Sequence, residues 1–106
     1  METQKIKVIV KRPDEKGHVT WMSNNLKAFQ TAVDGYIETV RVAHGLVVIC
    51  NEEGRLRGLE PNCRFCGVDF VGTIVIAGED LAAGEFTDVP LLLSTFKLMC
   101  GEVARK

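Results

Sequence analysis

The residues best suited to chemistry are the cysteines, and two of them, in Cys63-Arg64-Phe65-Cys66, are separated by two residues. A turn can aim both sulfurs of such a pair at one point, which suits zinc or a dithiol couple. Zinc needs four ligands, and only Cys50, Cys100, His18 and His44 could complete the set. No helix start follows Cys63 in the manner of a thioredoxin-like motif. Three readings stay open for Cys63 and Cys66: reduced thiols in a loop, a metal site, or a disulfide or redox role. Cys50 and Cys100 fall on apolar faces and read as core thiols.

The second candidate set is polar and partly aromatic: Tyr36, Glu38, Asn51, Asn62, Arg64 and Thr73. An Asn side chain donates and accepts, so it can bond two partners at once. If the segments starting at Tyr36 and Leu46 pair as a hairpin, Glu38 and Asn51 fall toward the same end of it. The expected ligand site is therefore the polar junction between Gly35-Tyr36-Ile37-Glu38 and Asn51-Glu52-Glu53-Gly54. The same Asn and Glu residues also serve as turn formers, and Gly54 suits a positive φ. No Ser, Cys and His spacing marks a nucleophile with its base. The glycines punctuate strands and form neither a Walker loop nor a dinucleotide fingerprint. No catalytic residue and no cofactor are expected.

These residues need elements to position them. Lys5 to Lys11 alternates with period two, one face mostly basic, and predicts a half-buried strand whose lysines protect a sheet edge. A turn cluster at Pro13 to Gly17 leads into a second strand, His18 to Met22. Ser23-Asn24-Asn25 offers an N-cap, and Leu26, Phe29, Ala32 and Val33 share one helical face, so a helix is expected over 24–34 with Gly35 as its left-handed cap. Tyr36 to Ala43 alternates, and Leu46 to Cys50 is a continuous apolar run joined to it through His44-Gly45. Arg55 to Leu59 is read as a strand or loop, and Glu60-Pro61-Asn62 as a break. Val71 to Ala77 is a buried strand in which Gly72 marks a bulge or close approach. Residues 78–86 are read as loop with a helical turn at Glu79 to Ala83. A last helix starts at Thr87 or Asp88, holds Pro90 in its first turn, and buries Leu92, Phe96, Met99 and Cys100. The expected fold is α+β, in the order β-β-α-β-β-β-β-α. It is a mixed, largely antiparallel β-sheet with one or two helices packed on one face.

A chain of 106 residues, 46% apolar and 25% charged, is expected to form one domain over residues 1–106. The formal net charge of −1 lacks the basic excess of a nucleic-acid binder and the acidic excess of a DNA mimic. Gly45 to Cys50 and Val89 to Leu93 are too short to span a bilayer, so no membrane contact is expected. Met1 to Lys5 shows no apolar signal core, so reduced thiols and a cytoplasmic location are expected.

Gly35-Tyr36-Ile37-Glu38, Cys50-Asn51-Glu52-Glu53-Gly54, Leu59-Glu60-Pro61-Asn62 and Val71 to Gly78 together resemble a family of small domains of unknown function, found in bacteriophages and mobile elements of Gram-positive bacteria. The resemblance covers residues 5–80. It implies an accessory protein of the host-cell cytoplasm, with no catalytic residues to carry over. In that family the loop after Asn62 lacks a cysteine pair, which weighs against metal at Cys63 and Cys66. The function so implied is binding and inhibition or sequestration of a host factor, as in a counter-defence protein. Its partner would be a host protein or a small signalling nucleotide. For a nucleotide, Tyr36 or Phe65 would stack the base and Arg55, Arg57 or Arg64 would meet phosphate. Two alternatives stay open. One is an interaction or homo-oligomerisation module using a strand edge or the last helix. The other is a thiol-dependent or metal-binding enzyme working through Cys63 and Cys66.

Overall fold

A computed structural model describes residues 4–103. Met1 to Thr3, part of the segment read as lacking a leader, lie outside the described residues, as do the last three. The order of elements is β1 (Lys5–Lys11), β2 (His18–Ser23), α1 (Leu26–Val33), β3 (Ile37–Ala43), β4 (Leu46–Asn51), β5 (Pro61–Phe65), β6 (Val68–Val71), β7 (Ile74–Asp80), β8 (Glu85–Thr87) and α2 (Leu93–Met99). The main sheet runs β2-β1-β7-β4-β3, with β8 paired to β7, and every pairing in it is antiparallel. β5 and β6 form a separate antiparallel hairpin. The class is α+β, as the patterning predicts.

Period-two alternation divides the strands between two layers. Ile6, Val8, Val10, Val47, Ile49, Val75 and Ala77 point to one face, where Phe29 and Val33 of α1 close over them. Ile9, Leu46, Val48, Cys50, Ile74 and Ile76 point to the other, covered by Cys63, Phe65 and Phe70 of the hairpin with Val89 and Phe96. Each fully buried large side chain contributes about 1.5–3 kcal/mol of burial free energy, so both layers are needed in a domain this small. Of the two helices, α1 takes one face and α2 joins the hairpin on the other.

Several local expectations shift. β1 is an interior strand between β2 and β7, so its lysines do not guard an edge. Arg55 to Gly58 is turn rather than strand, and the segment read as a break and loop is the β5–β6 hairpin. Its turn is Cys66-Gly67, with φ of 52° and 79°. Two successive left-handed residues give the twist that closes a two-residue hairpin. The apolar run from Val71 is interrupted at Gly72, φ 70°, whose missing Cβ would lie 2.8 Å from Leu59 Cδ1. The expected helical turn at residues 79–83 is instead the end of β7 and the turn into β8. α2 starts after Leu92, so Pro90 precedes the helix, and Phe96 alone of its residues is buried. Leu92 and Met99 are exposed, contrary to the expected buried face. Among the described residues no helix is long and apolar enough to cross a membrane.

Candidate functional site

The polar junction is built from the end of α1 inward. Asn25 caps the helix by accepting from the Ala28 N–H at 2.8 Å. At the other end the left-handed residue is Asp34, φ 59° and ψ 50°, one position before the expected Gly35. Gly35 is required for a different reason, since a Cβ there would lie 2.6 Å from Asn51 Nδ2. Asn51 is 6% exposed and wholly committed to the backbone. Its Nδ2 donates to the Val33 and Asp34 carbonyls at 3.0 Å each, and its Oδ1 accepts from the Glu53 N–H at 2.8 Å. The Glu52 N–H donates to the Tyr36 carbonyl at 2.8 Å, and Arg57 Nη1 donates to the Asp34 carbonyl at 2.7 Å. Gly54 has no positive φ; it is small because Val71 Cγ2 would stand 2.8 Å from its Cβ. The junction is thus a scaffold tying α1, β3 and β4 together.

Beside it opens a cleft of about 390 Å3 between β3–β4 and β6. Val40, Cys50 and Phe70 supply apolar surface, Glu38, Glu52 and Asp69 bring carboxylates, and Arg55 and Leu56 stand at the turn. Glu38 lies opposite Cys50 in the β3–β4 register, and the Cys50 thiol donates to the Glu38 carbonyl at 3.6 Å. Burial, helped by the Glu38 carboxylate, pushes the Cys50 thiol up to about 11. A thiol so held stays protonated at neutral pH and is no nucleophile. Arg55 Nη2 donates to the Asp69 carbonyl at 2.6 Å. Asp69 Oδ1 is shielded from solvent without a hydrogen-bond donor. The Arg64 guanidinium stands 3.6 Å away, which gives it a charge partner beyond hydrogen-bonding reach. The surface offers carboxylates over an apolar floor, the complement of a cation carried on an alkyl stem.

Of the expected site residues, Glu38 and Asn51 line this cleft. Tyr36 is exposed at its end of the junction. Arg64 reaches it only through Asp69, its directly opposed partner in the hairpin. Asn62 lies on the other flank of the hairpin, bonded to Lys11 and to the Gly72 carbonyl. Thr73 follows Gly72 between β6 and β7 and lines no part of the cleft. Phe65 is fully buried with its ring 5.0 Å from Phe96, which removes it as a base-stacking platform. Asp69 and Phe70 were missed as site residues. Their signal was the alternation of Cys63 and Phe65 with Asn62 and Arg64, ahead of a turn-forming glycine.

The cysteine pair is divided by its hairpin. Cys63 faces the core and Cys66 is exposed at the turn. The neighbour of Cys63 is Cys100, at 3.9 Å between sulfurs. Burial pushes Cys63 up to about 12 and raises Cys100 as well. Among the described residues no group of three or more His, Cys, Asp or Glu is placed to hold a metal ion.

A family model described as a domain of unknown function (DUF3846) matches residues 6–100. The chain belongs to this family. No curated protein and no solved structure matches it. The DUF3846 match extends beyond the resemblance over residues 5–80 and runs through α2. The matched residues include those of the β5–β6 hairpin and of the cleft. The family description names no activity, so function is argued from the geometry of the cleft.

Proposed function

We propose that this DUF3846 protein is a non-catalytic binding protein that grips and inhibits or sequesters a host protein in the cytoplasm, as a phage or mobile-element counter-defence factor would. The partner would present a lysine or arginine side chain to the cleft between β3–β4 and β6. The observation that carries this reading is the convergence of three carboxylates, Glu38, Glu52 and Asp69, on one cleft. An incoming ammonium or guanidinium would meet charge-assisted acceptors there. Apolar floor at Val40, Cys50 and Phe70 suits the alkyl part of such a side chain. Three carboxylates against one Arg make the same cleft a poor host for phosphate.

The test is calorimetric titration with short peptides that differ only in one lysine, arginine or glutamate. The basic peptides should bind the wild type and lose at least roughly tenfold in affinity with the Glu38→Gln, Asp69→Asn double variant, as loss of charge-assisted bonds implies. Equal binding of the glutamate peptide, or no change in the double variant, would refute the reading.

A further inference from the structure

The other flank of the hairpin holds a second cavity, of about 660 Å3, with the opposite chemistry. Lys11 at the end of β1, Lys16 in the turn after it and Lys97 of α2 converge on it, beside Asn62, Cys63 and Cys100. Glu15 and Glu102 also border it.

Lys11 is the unusual member. It is 7% exposed, and a buried ammonium is costly unless it is paired. Its Nζ donates to Asn62 Oδ1 at 2.8 Å and to the Arg12 carbonyl at 3.3 Å. Both acceptors are neutral. Among the described residues no ion pair involves Lys11. An ammonium has three donors, two of which have these partners, and Lys11 lines the cavity. Asn62 is itself held in place, because its Nδ2 donates to the Lys11 carbonyl at 2.9 Å and the Gly72 carbonyl at 2.7 Å. That leaves its Oδ1 for the amine and fixes where Nζ stands. Glu15 is engaged elsewhere, its Oε1 lying 3.1 Å from His18 Nδ1 and 3.4 Å from the Arg12 N–H. The Cys63 and Cys100 thiols add weak S–H donors and no negative charge at neutral pH. The fold has positioned a buried cation, flanked by two more, and neither Glu15 nor Glu102 on the cavity border forms an ion pair with it.

We propose that this cavity binds the phosphoryl group of a small ligand, a phosphate monoester or a diphosphate. Lys11 is the buried anchor, and Lys16 and Lys97 are the flanking cations. A carboxylate would satisfy Lys11 alone; three converging point charges match the higher charge and additional acceptor oxygens of a phosphoryl group. This site is separate from the acidic cleft, so either can fail without the other.

The test uses the whole chain with inorganic pyrophosphate and with a nucleoside monophosphate, each against sodium chloride at matched ionic strength. Both phosphate probes should raise the melting temperature above the chloride control. Amide chemical-shift changes should centre on Lys11, Lys16, Asn62, Lys97 and Gly101. Lys11→Met keeps the stem and removes the charge; it should weaken binding at least roughly tenfold. Lys97→Ala, on the exposed side of α2, should weaken it less. If Lys11→Met does not fold, Lys97→Ala and the shift map decide. The proposal is overturned if pyrophosphate and chloride act alike. It is also overturned if the nucleotide alone binds, if Lys11→Met or, failing it, Lys97→Ala binds as the wild type does, or if the shifts fall on the exposed Lys5 and Lys7 surface.

Discussion

The two faces of the central sheet start from the same alternating strands and finish differently. On one face a single amphipathic helix lies along the strands, and Phe29 and Val33 complete an apolar layer. On the other, a hairpin of five- and four-residue strands packs with Val89 and Phe96 against residues of β1, β4 and β7. Its β6 flank opens onto carboxylates at Glu38 and Asp69, and its β5 flank onto lysines at Lys11 and Lys97. The difference teaches that a helix turns one apolar stripe to the core beneath it, whereas an alternating hairpin brings polar side chains to its flanks along with apolar ones to the core. Stability should therefore be most sensitive under α1, and binding should be most sensitive beside the hairpin.

The largest expected effect tests the helix-covered face. Phe29 is buried, with its ring edge-on to Phe86 at 5.3 Å. Phe29→Ala should cost about 3–5 kcal/mol in denaturant unfolding. A cost below 1 kcal/mol would mean that α1 does not close this layer.

The junction comes next. Asn51→Ala removes the partners of the Val33 and Asp34 carbonyls and of the Glu53 N–H. It should cost about 2–4 kcal/mol, because the Val33 carbonyl and the Glu53 N–H each lose their side-chain partner at about 1–3 kcal/mol, while the Asp34 carbonyl keeps Arg57 and water recovers part of the sum. Gly35→Ala should be destabilising alone and markedly less so in the Asn51→Ala background, since its Cβ clashes with the Asn51 amide. Strict additivity in that double-mutant cycle would remove the reason given for Gly35.

A smaller effect separates the thiols of the hairpin face. Burial raises Cys50 and Cys63 from 9.0 in the unfolded chain to about 11 and about 12 in the fold. Below 9.0 their contribution to stability is fully present. As pH rises above it the unfolded chain loses these protons first, so stability should fall through about 11 and about 12. Replacing both residues with alanine should flatten the alkaline limb of the stability profile. Before that limb, a thiol reagent should label the exposed Cys66 and leave Cys50 and Cys63 until unfolding. The smallest expected effect is on folding by the cleft carboxylate of Glu38. Glu38→Gln, at an exposed position, should change stability by no more than about 0.5 kcal/mol, as is usual for surface changes.

Much of the frame could be read from the sequence because its signals were local. The Asn25 cap, the spacing of Phe29 and Val33, and the apolar runs at Leu46 to Cys50 and after Gly72 depend on near neighbours. Tertiary placement was less legible. Lys7 and Lys11 look alike in an alternating strand, yet Lys7 is exposed and Lys11 is buried. The difference arises from Asn62, fifty-one residues away. The hairpin was hidden because Pro61 and Asn62 are strong break signals, and because Cys66, a non-glycine residue, takes the left-handed turn position. Asn51 stands out in the sequence for its bonding capacity, and inside the fold that capacity is spent on backbone. The acidic cleft needed Glu38 and Asp69 side by side, which strand order alone could not supply.

The most direct test of the central claim is site-specific photo-cross-linking in host cells. A photoreactive residue would replace Leu56, 90% exposed at the cleft, or Leu26, 57% exposed on α1. The account predicts one host protein cross-linked from position 56, absent from position 26, and lost when Glu38→Gln and Asp69→Asn are added. The same product from both positions, or its survival in the charge-neutralised variant, would contradict the assignment of the cleft as the partner site.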